Sequence, residues 1–265
     1  MAAEVHQYDR VEPVLEAVPR PRLSLVIPAY NEQARIANTL AATLAYLERQ
    51  PYLFELIVAD DGSSDNTRSI ADRYASQRTR VITIPHGGKA VALRAGMRAA
   101  RGEIVAFTDA DLATPIEYLG EFIARIDAGA DVVIGSREGT GAHRVDEPGY
   151  RHFMGRVFNR LVQTLVLPGI DDTQCGFKAF TRFASTEIIR RARLYTGEQE
   201  ITGARVTAFD VEMLVIARNL GFKIVELPVN WTYGAQSKVN PVRDTLTNLR
   251  DIATIKLNDL RNRYD

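Results

Sequence analysis

Short apolar runs alternate with helical segments along the first half of this chain, and this alternation restricts its fold more than any other feature. Runs that are apolar along their whole length are typical of strands buried on both faces, as in a parallel sheet covered by helices. The pattern predicts a single α/β domain with a Rossmann-like, doubly wound and mostly parallel sheet. The predicted strands are 23–27, 54–59, 80–84, 103–107 and 131–134, and the first helices are 32–49, 67–77 and 90–100.

Polar residues follow the carboxyl ends of the predicted strands, where an open α/β sheet binds its ligands. Because the carboxyl ends of parallel strands meet at one edge of the sheet, a single site explains these residues more simply than separate surface features do. The residues in question are Asn31, Asp60, Asp61, Lys89, Asp109 and Asp111.

Asp109 and Asp111 lie two positions apart, directly after the fourth predicted strand. Two neighbouring carboxylates repel each other unless a cation joins them, and Mg²⁺ is usually held by one or two carboxylates together with substrate phosphates. Gly87 and Gly88 precede Lys89 at a predicted helix start, which suits a diphosphate. Asp-rich patterns of this kind also occur in solvated turns and helix caps, and the lysine could simply be solvated, so both interpretations stay open at this point.

Composition excludes several classes of protein. The 33 basic and 33 acidic residues cancel, so no global field attracts nucleic acid. Cys175 is the only cysteine, which excludes an intrachain disulfide and a cysteine cluster for zinc. No apolar run is long enough to predict a transmembrane helix, and a cytoplasmic location is expected. Composition does not predict the oligomeric state.

The second half of the chain adds further candidates. A helix predicted over 150–166 has a basic face, which includes Arg151 and could meet phosphates or anionic headgroups or simply face solvent. Asp210 begins another predicted helix, either as a carboxylate favoured by the helix dipole or as a functional acid. Flexible loops are predicted over 138–150 and 195–207.

Three segments are predicted along the chain. Residues 1–21 form a polar, proline-containing arm, and residues 22–240 form the main domain. Residues 241–265 include an amphipathic helix, which either docks on the domain or lies on a membrane surface.

Three loop motifs in order make part of the sequence recognisable. VIPAYNE at 26–32, VADDGSSD at 58–65 and DAD at 109–111 resemble family-2 glycosyltransferases of the GT-A fold. In the second half, motifs such as DTQCGFK at 172–178 and FDVE at 209–212 resemble the branch that includes dolichyl-phosphate β-glucosyltransferases and prokaryotic polyprenyl-phosphate enzymes. The resemblance extends over most of the predicted main domain.

This resemblance implies an inverting transfer of a hexose, expected to be glucose from UDP-glucose, to a polyprenyl monophosphate such as dolichyl or undecaprenyl phosphate. It also implies a divalent ion, Mg²⁺ or Mn²⁺, and a location at the cytoplasmic face of a membrane as a peripheral protein. The implied uridine contacts are Pro28, Tyr30, Glu32, Asp60 and Asp61, with Lys89 near the nucleotide.

The remaining roles implied by the resemblance concern the metal, the sugar and the acceptor. Asp109 and Asp111 hold the ribose and the metal with the diphosphate, and Arg137 receives the acceptor phosphate, joined by a basic residue such as Arg151. The residues implied near the sugar or acceptor are Gln174, Asp210 and Lys238, and the catalytic set is Asp111, Arg137 and Asp210.

Two departures from related enzymes keep alternatives open. Ala113 occupies the position where related mannosyltransferases often have a glutamine as a further metal ligand. No membrane anchor or span is expected in this chain, so the lipid acceptor must be reached through an interfacial surface or a partner. A soluble sugar or phosphorylated acceptor, or a nucleotide-sugar-binding protein without turnover, are the alternative interpretations.

Overall fold

The computed structural model describes residues 19–146, 149–196, 207–233 and 241–265, with the side chains of 150–154 and 241–246 left out. Strands and helices alternate in the first half, and the sheet gains its last strands from the second half. The first eight elements are β1 (Leu23–Ala29), α1 (Ile36–Leu47), β2 (Phe54–Asp60), α2 (Thr67–Asp72), β3 (Thr79–Thr83), α3 (Lys89–Ala99), β4 (Ile104–Phe107) and α4 (Leu119–Asp127). The others are β5 (Val132–Ser136), β6 (His143–Val145), α5 (Gly149–Leu165), β7 (Lys178–Thr181), α6 (Arg182–Arg191), α7 (Phe209–Asn219), β8 (Ile224–Pro228), β9 (Asn230–Thr232) and α8 (Pro241–Leu260).

Seven strands form one mixed sheet in the order β3-β2-β1-β4-β7-β5-β8. All neighbouring pairs are parallel except those of β7, which runs antiparallel to both β4 and β5. The mostly parallel α/β fold predicted from the alternation is therefore confirmed. β6 and β9 form a separate parallel pair, and β6 lies within residues 138–150, which were predicted to be a loop.

The antiparallel strand β7 is the main element that the sequence pattern missed. It separates β4 from β5, so the fourth and fifth predicted strands are not neighbours. Its first residue, Lys178, is fully buried. Apolar periodicity did not predict this strand, because it is only four residues long and begins with a lysine. Helix α1 begins at Ile36 and α2 ends at Asp72, so both are shorter than predicted.

Helices cover both faces of the sheet. Alternate residues of β1 divide between the two cores, with Val26 on one face and Leu25 and Ile27 on the other. Helix α8 packs into the Val26 side through Ile252 and Ile255, both buried. The C-terminal helix is therefore docked on the domain, which is the first of the two placements predicted for it. No helix in the described residues is long and apolar enough to cross a bilayer.

Candidate functional site

A cleft with a cavity volume of about 210 Å³ opens at the carboxyl edge of β1, β2 and β4. Six of the seven residues predicted to bind nucleotide line this cleft, because they lie at the end of a strand, after one, or at the start of a helix along the same edge. The lining residues are Pro28, Ala29, Tyr30, Glu32, Arg35, Asp61, Lys89, Ala92, Asp109, Ala110 and Asp111.

Asp109 and Asp111 lie together at the floor of the cleft, with cationic side chains beside them. Lys89 Nζ lies 2.5 Å from Asp109 Oδ1, and Arg35 Nη1 lies 3.9 Å from Asp111 Oδ2. Burial and the neighbouring Asp109 carboxylate raise the pKa of Asp111. Burial lowers the pKa of Lys89, but Asp109 and then Asp210 raise it by more, so the net shift is upward. The carboxylates therefore provide a negative centre that favours a cation.

The chain turns sharply beside this centre. Leu112, directly after Asp111, has a positive φ of 49°, and Asn31, after β1, has a φ of 53°. Such conformations are uncommon for residues other than glycine and cluster at functional sites. Asn31 Oδ1 accepts a hydrogen bond from the backbone N–H of Ser64, which ties the loops after β1 and β2 together.

Two carboxylates suit a hard divalent ion whose remaining ligands come from substrate phosphates and water. The described residues hold no group of three or more His, Cys, Asp or Glu side chains that could enclose a metal without such help. Burial first, and then the Asp109 carboxylate, raise the pKa of Asp111, so a bound cation would stabilise its charged form. Asp109 and Asp111 thus fit Mg²⁺ or Mn²⁺ bound together with a diphosphate.

Asp61 organises the loop that leads into α3. Its carboxylate accepts hydrogen bonds of 2.8 Å from the backbone N–H groups of Gly87 and Gly88, and lies 2.8 Å from His86 Nδ1. The His86 ring stacks on Tyr30, with centroids 4.0 Å apart and planes 9° apart. Asp61 therefore shapes one wall of the cleft by fixing the loop and the ring behind Tyr30.

His86 and Arg35 were not among the site residues predicted from the sequence. The position of His86 beside the cleft becomes evident only from its stacking on Tyr30, which follows β1. Asp60, the seventh predicted nucleotide residue, is buried, does not line the cleft, and accepts a turn hydrogen bond from Ser63 N at 3.3 Å. Its contact with uridine stays a prediction.

Arg137 follows β5, and its guanidinium is held by Asp172 and lies against Trp231. Its Nε and Nη2 donate to the two carboxylate oxygens of Asp172 at 2.7 and 2.9 Å. The guanidinium carbon lies 5.3 Å from the centroid of the Trp231 ring. A bidentate pair with an aromatic ring on one face fixes both the position and the plane of the guanidinium.

Asp210 pairs with a buried lysine. Lys178 Nζ lies 2.6 Å from Asp210 Oδ1 and donates to the carbonyl oxygen of Cys175 at 2.6 Å. The Asp210 carboxylate also raises the pKa of Lys89, which connects this pair electrostatically with the cleft. The structure therefore gives Asp210 a definite ionic partner that the sequence did not reveal.

Gln174, predicted near the sugar, lies in the loop between Asp172 and Lys178 and is half-buried. Its backbone N–H donates to Asp172 Oδ1 at 3.1 Å, so it belongs to the same loop structure as Arg137. The side chain of Arg151 and the whole of Lys238 lie outside the described residues. Their predicted contacts with the acceptor stay predictions.

Known proteins include several relatives of this chain. Residues 24–189 match the family described as glycosyl transferase family 2. The chain is 37% identical over 230 residues to a dolichyl-phosphate beta-glucosyltransferase of Trichomonas vaginalis, covering 82% of this chain and 65% of that protein. It is 37% identical over 231 residues to the glycosyltransferase AglD of Haloferax volcanii, covering 84% of this chain and 35% of that protein. The chain therefore spans less than two thirds of the length of these two relatives.

Two further proteins are matched over more of their own length. The human dolichyl-phosphate beta-glucosyltransferase is 34% identical over 256 residues, which cover 90% of this chain and 76% of that protein. Glucosyl-3-phosphoglycerate synthase of Mycobacterium tuberculosis, crystallised with Mn²⁺, UDP and glucosyl-3-phosphoglycerate, superposes with a TM-score of 0.60. It is 21% identical, and the match covers 92% of this chain and 80% of that chain, which shows a shared fold.

Proposed function

Because the chain belongs to glycosyl transferase family 2, we propose that it is a metal-dependent, inverting enzyme that transfers glucose from UDP-glucose to a polyprenyl monophosphate. The resemblance inferred from its motifs is confirmed at the level of the family. Relatives named for dolichyl-phosphate glucosyl transfer, at 34–37% identity, support the sugar and the acceptor class.

The main support for the proposal is that two regions of opposite charge lie at one edge of the sheet. Asp109 and Asp111 form a negative centre after β4, and Arg137 is held as a fixed cation after β5. A divalent ion on the first centre would neutralise charge on the departing diphosphate. A phosphate monoester, already largely ionised near neutral pH, matches the second.

The residues of this chain provide mainly binding and orientation. Tyr30, backed by His86, offers a flat face for a base, and Lys89 begins α3, where backbone N–H groups favour phosphate. Arg137 is suited to orient the acceptor phosphate, because its guanidinium is already fixed. An acceptor oxygen then attacks the anomeric carbon while the bond to UDP breaks, with inversion, and proximity supplies much of the acceleration.

This acceptor requires no strong general base, since its attacking oxygen is already deprotonated. Asp210 is therefore proposed as a ligand of the sugar or as the counter-charge of Lys178, rather than as the base. A polyprenyl chain partitions into the bilayer, so we propose that the protein acts at a membrane surface, on its cytoplasmic face.

A product assay tests this proposal. Purified protein is incubated with Mn²⁺ or Mg²⁺ and a short-chain polyprenyl phosphate, with UDP-glucose, UDP-galactose, UDP-N-acetylglucosamine or GDP-mannose as the donor. The expected product is a lipid-linked glucose formed from UDP-glucose. Product from another donor would correct the sugar, and transfer only to a soluble acceptor would overturn the acceptor.

Asp111→Asn should reduce turnover at least a hundredfold and weaken Mn²⁺ binding in the presence of UDP, because one of two carboxylate ligands is lost. Asp127→Asn is the matched control, since Asp127 pairs with Arg22 at the opposite edge of the sheet. Both variants should keep the melting temperature of the parent within about 2 °C, since both carboxylates are partly exposed. Full activity in Asp111→Asn would refute the metal assignment.

A further inference from the structure

We propose that residues 172–177, here called the bridging loop, set the distance between Arg137 and Asp109, with Asp172 and Gly176 as positioning residues. The inference rests on the proposed function, because that function assigns the acceptor phosphate to Arg137 and the diphosphate to Asp109. The bridging loop leads directly into β7, the strand between β4 and β5. It therefore lies between the two strands that carry Asp109 and Arg137.

At its first residue the loop holds Arg137. Asp172 is fully buried, and its carboxylate accepts hydrogen bonds from the Nε, Nη2 and backbone N–H of Arg137. Burial raises the pKa of Asp172, but the Arg137 guanidinium and its hydrogen bonds lower it by more, so the carboxylate stays charged. Such a pair leaves the guanidinium one position and one plane.

Neighbouring elements hold this end of the loop in place. Glu226 on β8 accepts the backbone N–H of Asp172 at 3.0 Å, and Trp231 on β9 lies against the Arg137 guanidinium. Arg144 on β6 donates to the carbonyl oxygen of Arg137 at 3.1 Å. Arg137 is thus restrained through its side chain and its backbone.

At its other end the loop touches the metal-side carboxylate. A Cβ atom added to Gly176 would overlap the carboxylate of Asp109, so the backbone of the loop packs directly on that side chain. Cys175, next to it, packs on Gly135 of β5, where an added Cβ would lie 2.8 Å from its Sγ. Lys178 also donates to the Cys175 carbonyl oxygen at 2.6 Å.

The loop therefore contacts both charged regions through two separate residues. In a transfer between two bound phosphate groups, a displacement of about 1 Å can reduce the rate about a hundredfold. If each end of the loop positions one of the two groups, a substitution at that end should affect the binding of its own substrate only. A loop that merely stabilises the fold would affect both substrates equally.

The test compares Asp172→Asn and Gly176→Ala, with Asp171→Asn as a control. Asp171 is the exposed neighbour of Asp172, and its carboxylate accepts a hydrogen bond from Gln163 outside the loop. Acceptor binding is followed by the fluorescence of Trp231, the only tryptophan of the chain, during titration with a short-chain polyprenyl phosphate. Donor-side binding is followed by calorimetry with UDP and Mn²⁺.

Asp172→Asn should weaken acceptor binding and raise the acceptor KM about tenfold or more, because the Arg137 guanidinium loses the carboxylate that fixes its position and plane. The UDP–Mn²⁺ affinity should stay unchanged within about twofold. Gly176→Ala should weaken UDP–Mn²⁺ binding about tenfold and leave the fluorescence titration unchanged. Asp172→Glu keeps the charge but adds a methylene. It should likewise weaken acceptor binding and leave UDP–Mn²⁺ binding unchanged, and it replaces Asp172→Asn in the test if Asp172→Asn does not fold. Equal losses of both ligands in either variant would overturn the inference.

The outcome also separates this inference from the proposed function. A parent protein that forms no lipid-linked glucose and shows no fluorescence response to polyprenyl phosphate would refute the function. The ligand-free emission of Trp231 then decides the inference, because the indole contacts the Arg137 guanidinium. A shift in Asp172→Asn but not in Asp171→Asn would support positioning by Asp172, and no shift would overturn it.

Discussion

Replacing Asp210 with asparagine leaves the Lys178 ammonium buried without its carboxylate. Lys178 is fully buried and makes its 2.6 Å ion pair with a side chain that is itself 13% exposed, beside the ring of Phe107. Removing one partner of a buried ion pair costs about 3–5 kcal/mol, because the other charge stays desolvated. We therefore expect Asp210→Asn to lower the free energy of unfolding by an amount in this range.

The corresponding change in melting temperature follows from the chain length. At about 2.1 cal/mol/K per residue, unfolding of a chain of this length has an entropy of about 0.56 kcal/mol/K, so the expected decrease is about 5–9 °C. Differential scanning calorimetry measures this decrease. Asp72→Asn provides the control, because the Arg68–Asp72 pair is half-exposed and should contribute less than about 1 kcal/mol.

The double variant Lys178→Met/Asp210→Asn separates the charge from the packing. Methionine approximates the length of the lysine side chain without its charge, so the double variant should recover at least about 1 kcal/mol relative to Asp210→Asn. A melting temperature for Asp210→Asn within 2 °C of the parent would refute the reasoning. So would a double variant less stable than the single one, since the buried ammonium would then not be the destabilising group.

Two further predictions concern the docking of α8 and the pH dependence of stability. Ile255→Ala should lower the free energy of unfolding, measured in urea, by about 2–5 kcal/mol, since Ile255 is fully buried. Leu260→Ala, at a position that is 69% exposed, should change it by less than about 0.5 kcal/mol. Equal losses in the two variants would contradict the docked helix. Burial raises the pKa of Glu212 above its ordinary value of 4.5, in spite of hydrogen bonds from Arg193 N–H and the Tyr264 hydroxyl that lower it. The native state thus retains a proton that the unfolded chain releases, so this stabilisation is complete below pH 4.5 and is lost as the pH rises through the folded pKa. Urea denaturation from pH 4 to 8 should show this decline in the parent and a flatter profile in Glu212→Gln, and identical profiles would exclude Glu212 as its source.

Much of the cleft was predictable, because its residues occupy positions defined by the local chain. Tyr30 and Asp61 directly follow a strand, and Asp109 lies two residues after one, and strands are recognisable from short apolar runs. Parallel strands bring their carboxyl ends to one edge, so order along the chain was enough to predict one site. Asp60 shows the limit of this reasoning, since its side chain is buried and does not reach the cleft.

Two ion pairs near the site were not predictable, because they join residues far apart in the chain. Arg137 and Asp172 are 35 positions apart, and Lys178 and Asp210 are 32 positions apart. Each pair depends on the antiparallel insertion of β7, which a lysine at its first position concealed.

The alternation of apolar runs and helices was sufficient to determine the α/β class and the edge that carries the polar residues, since both follow from local periodicity and chain direction. The choice of β7 as the neighbour of β4 depended on long-range packing, as did the burial of Lys178 against Asp210. A buried charge is tolerated only beside a partner of opposite charge, and that partner is supplied by tertiary structure. The physical difference is that strand and helix signals act over a few residues, whereas desolvation and ion pairing are decided by whichever distant groups the fold brings together.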